Sequence, residues 1–131
     1  MSAADHLSNH IKRFAPHAEG AGWHTCEGAG GSCEVASEDF RSVAGGKHLQ
    51  FAGAKFDTSS VHPEWQKVPS EHMSHHVPVV DDHVVDWTYR QFDPTSEFPL
   101  VEHVDDYSKR WDRNYDVTPY WDEDHKGPIN R

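Results

Sequence analysis

The 131-residue chain is short of basic residues, of cysteine and of long apolar runs. It has 12 Lys plus Arg against 22 Asp plus Glu, a formal net charge of -10. That shortage argues against a phosphate-backbone partner, because nucleic-acid binding rests on clustered Lys and Arg. No apolar run approaches membrane-spanning length, and "MSAADHLSNHIKRF" has no apolar signal core. The expectation is a cytoplasmic protein with no membrane partner. Two cysteines, Cys26 and Cys33, make no disulfide framework in that setting. The chain has no internal repeat and no low-complexity tract. Hydrophobic content is 35%, so the core is modest; aromatics at 11%, with five Trp, nevertheless argue against disorder.

Histidine is plentiful. Twelve histidines equal the Lys plus Arg count, so the charge of the chain depends strongly on pH between about 5 and 7. The length suits one domain, with a core expected over about residues 20–112 and an acidic, Pro-containing tail at 113–131 laid extended on the surface.

Leu7, Ile11 and Phe14 fall at helical spacing, which predicts a short helix stopped by Pro16. "AEGAGWHTCEGAGGS" reads as a loop. Ser32 is a fair N-cap, and Cys33, Ala36, Phe40 and Val43 form one apolar helix face ended by Gly45-Gly46. Glu34 lies in the first turn, where an acid suits the helix dipole. "KHLQFAGAKF" reads as one strand or two, and "DTSSVHPEWQKVPSEHMS" as a long surface connection able to act as a lid. "HVPVV" and "HVVDWTYRQF" alternate around "DD" as an antiparallel hairpin, with Pro78 demanding an edge or an interruption. Leu100, Val104, Tyr107 and Trp111 predict a second amphipathic helix. The pattern is α+β with an antiparallel sheet.

A thiolate is the nucleophilic form of cysteine, and a helix N-terminus or a nearby imidazolium favours it. Cys33 is offered both if the hairpin packs against its helix. A base within reach and a third group to orient it complete such a site, and Asp86 is placed for the third role. The base depends on register. A two-residue Asp81-Asp82 turn pairs Val80 with His83 and puts His75 on the face of Asp86; a longer turn, or a bulge at Pro78, puts His76 there.

"GSCEVASEDF", followed by "SHHVPVVDDHVVDWTYRQFDPTSEFPLV", resembles small papain-like cysteine hydrolases of actinobacteria and their phages. Their pattern is C-x-x-x-S on a helix, then H-x-V-x-V-x-D-x-x-V-x-D-W-T-x-R-Q-F-D-P. The resemblance spans roughly Gly31 to Val101 and is tightest at "VVDWTYRQFDP". It implies a papain-like fold, a Cys-bearing helix on a small antiparallel sheet, and catalytic Cys33, His76 and Asp86, with His75 in reserve. It implies no cofactor, and a protein or peptide-like amide substrate that acylates Cys33 before hydrolysis, deamidation or transfer. Glu27 stands six residues before Cys33, where papain-like proteases carry a glutamine. An oxyanion hole would then use the backbone N–H of Cys33 and a donor from the Trp23–Thr25 loop, around Trp23 and His24. Trp87 reads as core or cleft wall, and Arg90 and Gln91 as substrate contacts or loop braces. Two other classes compete. Cys26, Cys33, His72 and His75, with His76 beside them, are chemically fit for zinc, and the same acidic fold would also serve as a non-catalytic interaction protein.

Overall fold

The computed structural model describes residues 3–58 and 61–124. Helix α1 covers Ala3–Gly20, α2 Cys26–Ala29 and α3 Cys33–Ala44. Strands β1 (Lys47–Ala54), β2 (Ser74–Val80), β3 (His83–Asp86) and β4 (Leu100–His103) follow. A single turn of helix, α4 (Val104–Tyr107), then leads to β5 (Trp111–Asp116) and α5 (Thr118–Asp124). The five strands form one antiparallel sheet in the order β4-β3-β2-β1-β5. The α+β class is therefore as expected.

Each face of the sheet carries its own apolar cluster. On one, Leu49, Phe51, Val77, Val79 and Val84 pack with Tyr89, Phe92, Tyr107 and Trp111. On the other, Val80 and Val85 pack with Phe14 of α1, Phe40 of α3, Trp23 and Trp87. Phe40 is fully buried, and it fixes α3 to the sheet; truncating such a side chain costs about 3–5 kcal/mol. Packing thus extends beyond residues 20–112 at both ends, because Leu7 and Phe14 are buried and Leu49 pairs with Asp116.

Several elements differ from the sequence expectation. Pro16 lies inside α1 instead of ending it. The proline forfeits one backbone bond, but Phe14 and Ala18 are buried on either side of it, and that packing carries the helix through. The Gly/Ala-rich loop contains α2, capped by Thr25 Oγ1, which accepts from the Gly28 N–H at 2.9 Å. Ser32 makes no side-chain cap bond to α3; its hydroxyl donates to Gly28 O at 3.1 Å. The predicted second amphipathic helix is instead β4, α4 and the start of β5. Residues 113–116 of the predicted tail continue β5, and 118–124 form α5 rather than an extended tail; the rest of that stretch, 125–131, lies outside the described residues.

Candidate active site

The hairpin sets the geometry. Asp81 and Asp82 both have positive φ, 51° and 62°, so they form the two-residue turn whose twist matches the flanking strands. Val80 pairs with His83 and Val79 with Val84. Side chains alternate along each strand, so His75, Val77, Val79, Val84 and Asp86 share one face. His76 and Val80 share the other.

The β2–β3 ladder contains only those two pairs. Pro78 sits just before it begins, still paired with His48 of β1 but unpaired toward β3, an interruption that its missing N–H tolerates. α3 runs in the same direction as β2. Beyond its C-terminal end, Gly46 (φ +89°) lies so close to Val79 that a Cβ there would fall 2.2 Å from Val79 O. Its N-terminal end therefore lies at the start of β2, where no β3 partner covers His75, and Cys33 is the first residue of that end.

The histidine so placed is buried. His75 Nε2 donates to Asp86 Oδ2 at 2.8 Å, and the ring packs edge-on to Phe92 and stacks with Trp111. His75 Nδ1 is buried with no hydrogen-bond partner among the described residues, and the Cys33 thiol is close enough to act on the ring. Burial disfavours the charged form of His75. The Asp86 carboxylate outweighs it through charge and hydrogen bond, the Cys33 sulfur adds to this, and the imidazole is pushed up to about 10.

Asp86, itself buried, is held from three sides. Besides His75 it accepts from Tyr107 Oη at 2.7 Å, from the Thr88 N–H at 3.0 Å and, more weakly, from Thr88 Oγ1 at 3.4 Å. Burial, then the Asp86 carboxylate, push the Tyr107 hydroxyl well above its ordinary range, so it stays a donor. Tyr107 and Thr88 were not legible as site residues. Tyr107 looked like part of a helix face, and Thr88 was one more polar residue after a strand.

The other candidates divide. His76 does not reach Asp86: the register puts it on the opposite face, where its Nδ1 meets His48 Nε2 at 2.8 Å. Trp23 and Trp87 are core residues. Arg90 is a brace, donating to His24 O at 2.8 Å and Ser96 O at 2.9 Å. Gln91 lines a cleft, but its Oε1 accepts from Trp65 Nε1 at 2.8 Å and its Nε2 donates to Thr88 O. Cys26 opens α2, and burial and then Glu27 raise its thiol. Among the described residues no group of three or more His, Cys, Asp or Glu is placed to hold a metal ion, so the zinc alternative gains no site there.

The half-buried Cys33 opens into a cleft of about 300 Å³ walled by Trp65, Phe92, Met73, His72 and His76, with Gly31 and Glu34 at its rim. Trp65 comes from the long connection between β1 and β2, which therefore forms one wall. The connection is fixed close to the Cys-bearing loop: a Cβ on Gly30 would fall 2.8 Å from His62 Cδ2. The first intrahelical bond of α3 runs from Ala36 N to Ser32 O, so the N–H groups of Cys33, Glu34 and Val35 point forward without helical acceptors. Among the described residues no helix is long and apolar enough to cross a membrane.

Comparison of the chain with protein-family models, with curated proteins and with solved structures finds no match.

Proposed function

We propose that the protein is a papain-like cysteine hydrolase or acyltransferase in which Cys33 is the nucleophile, His75 the acid–base group and Asp86 its orienting partner. One observation carries this reading: His75 bonds Asp86 through Nε2, its Nδ1 is left without a hydrogen-bond partner among the described residues, and the Cys33 thiol at the start of a helix acts on the same ring. The carboxylate fixes the imidazole's orientation and stabilises its charged form, as a triad requires.

In the proposed reaction the Cys33 sulfur attacks the carbonyl carbon of an amide. The oxyanion that forms is met by the forward-facing N–H of Cys33. His75 Nδ1 hands its proton to the departing nitrogen as the C–N bond breaks, leaving a thioester. Water or an amine, deprotonated by His75, then attacks the thioester and releases Cys33. A cleft lined by Trp65, Phe92 and Met73 suits a protein or peptide-like substrate, and hydrolysis, deamidation and transfer all use this machinery.

The test uses methyl methanethiosulfonate, a small thiol reagent, on a Cys26→Ser background, with labelling of Cys33 followed by intact mass against pH. Rapid labelling at pH 6 is expected, slowed at least tenfold in His75→Ala and little changed in His76→Ala. Labelling that tracks an ordinary thiol near 8.5 and is indifferent to His75 would overturn the reading.

A further inference from the structure

A second chain of ionisable groups ends in the same cleft from the other face of the sheet. Glu38 Oε2 lies 2.8 Å from His48 Nδ1, and His48 Nε2 lies 2.8 Å from His76 Nδ1. His48 is fully buried and is covered by the Trp121 ring, 5.0 Å away at 11°. His76 lines the Cys33 cleft. Among the described residues, no hydrogen bond involves its Nε2.

The polarity of this chain follows from its end. The Glu38 carboxylate, paired with Arg41 Nη1 at 3.2 Å, only accepts. His48 must then carry its proton on Nδ1, which leaves Nε2 as an acceptor. His76 must in turn donate from Nδ1, and a bare lone pair is left on its Nε2. Both rings have reason to be neutral. Burial, then His76 and Arg41, push His48 down to about 3, and burial followed by the charge on neighbouring His75 pushes His76 down to about 4. Adjacent histidines in the sequence are thus driven to opposite states, the pattern that separates an acid from an acceptor.

We infer that His76 is a specificity-determining residue whose bare Nε2, held in that tautomer by Glu38 and His48, accepts a hydrogen bond from an amide N–H of the substrate. The α3 N-terminus and the His75 N–H are donors; Glu34 and His72 also line the cleft, but His76 is the acceptor whose tautomer the Glu38–His48 chain fixes. An amide N–H of the substrate, on the acyl part or on the scissile nitrogen, meets an acceptor in His76. Substrates bearing an N–H at that place, including primary carboxamides, are therefore favoured over N-alkylated ones. The inference rests on the acyl-transfer reading for what enters the cleft, whereas the tautomer does not.

Two measurements test it. The first is nitrogen-15 NMR of the histidine rings in the full chain at pH 7. His76 is expected as the neutral tautomer with Nδ1 protonated and Nε2 bare, and Glu38→Ala is expected to shift its Nε2 signal toward the protonated form. An Nε2–H tautomer in the parent protein, or a signal indifferent to Glu38→Ala, would overturn the inference. The second compares Cys33 labelling by iodoacetamide and by N,N-dimethyliodoacetamide, each normalised to free cysteine, on the Cys26→Ser background. The parent is expected to prefer the reagent with N–H groups, and His76→Ala to lose between about twofold and tenfold of that preference, the range of one hydrogen bond. A preference unchanged by His76→Ala would count against the inference. Slow, His75-independent labelling in the thiosulfonate assay would defeat the catalytic reading alone and leave the ring signals as predicted.

Discussion

At the scale of single residues, the pivot is Asp86. A carboxylate this buried is tolerable only because donors surround it, and Tyr107 supplies the shortest of those bonds, 2.7 Å. Tyr107→Phe removes the hydroxyl without changing the ring that packs on Phe51. Hydrogen bonds to charged groups contribute about 1.5–3 kcal/mol, so urea unfolding should show a loss in that range. Tyr115→Phe, at an exposed hydroxyl accepting from Arg113, should cost well under 1 kcal/mol. Equal losses in the two variants would mean that the Tyr107–Asp86 bond contributes little. His75 needs Asp86 in its charged form, so an Asp86→Asn variant would orient the ring without stabilising its cation. Orientation and charge are separable there.

At the scale of elements, what was legible and what was not have physical reasons. The α3 period was readable because Ala36 and Phe40 do face the core, although Val43, placed on the same face, is exposed. The hairpin was readable because its strands alternate around two aspartates. The base was not, because one residue of register exchanges His75 for His76 and only turn geometry decides it. Both Asp81 and Asp82 tolerate positive φ, and nothing else in the sequence distinguishes a two-residue turn from a longer one. The misread helix shows the opposite failure. Leu100, Val104, Tyr107 and Trp111 keep helical spacing by coincidence, yet Leu100–His103 pairs with β3 and half-buries alternate residues. Tyr107 and Trp111 then reach one cluster from two different elements. Sequence spacing reports a face only within one element. The turn also carries a cost, since an L-residue in the left-handed region is strained by about 1–2 kcal/mol. Asp82→Gly should therefore raise the urea midpoint, with a gain of up to about 1 kcal/mol after glycine's extra unfolded-state entropy, and should leave His75-dependent labelling of Cys33 intact. A lowered midpoint would mean that the Asp82 side chain stabilises the turn in another way.

At the scale of the whole molecule, the two faces of the sheet carry titrating systems of opposite sign, coupled through the charge of His75 on His76. His75, raised to about 10 on one face, contributes stability that is fully present below the unfolded histidine value of about 6.5 and is lost as pH rises through 10. His48 and His76, lowered to about 3 and 4 on the other face, contribute stability that is present above 6.5 and is lost as pH falls toward 4 and then 3. Stability should therefore be highest near neutrality, with an alkaline limb belonging to His75 and an acid limb to the pair. α5 controls the acid limb. Its Trp121 stacks on His48, Thr118 Oγ1 accepts from the His48 N–H at 2.9 Å, and Asp122 pairs with Arg41. Trp121→Ala lets water reach His48, so its folded value moves back toward 6.5. The variant should be less stable at pH 7, yet its loss between pH 6.5 and 4 should be shallower than in the parent. Its alkaline limb should change little, because Trp121 covers His48 and not His75. Chemical denaturation at a series of pH values reads both limbs. If Trp121→Ala steepened the acid limb, burial under Trp121 would not be what keeps His48 neutral; if it flattened the alkaline limb, the pair and His75 would be coupled by more than the charge of His75 on His76.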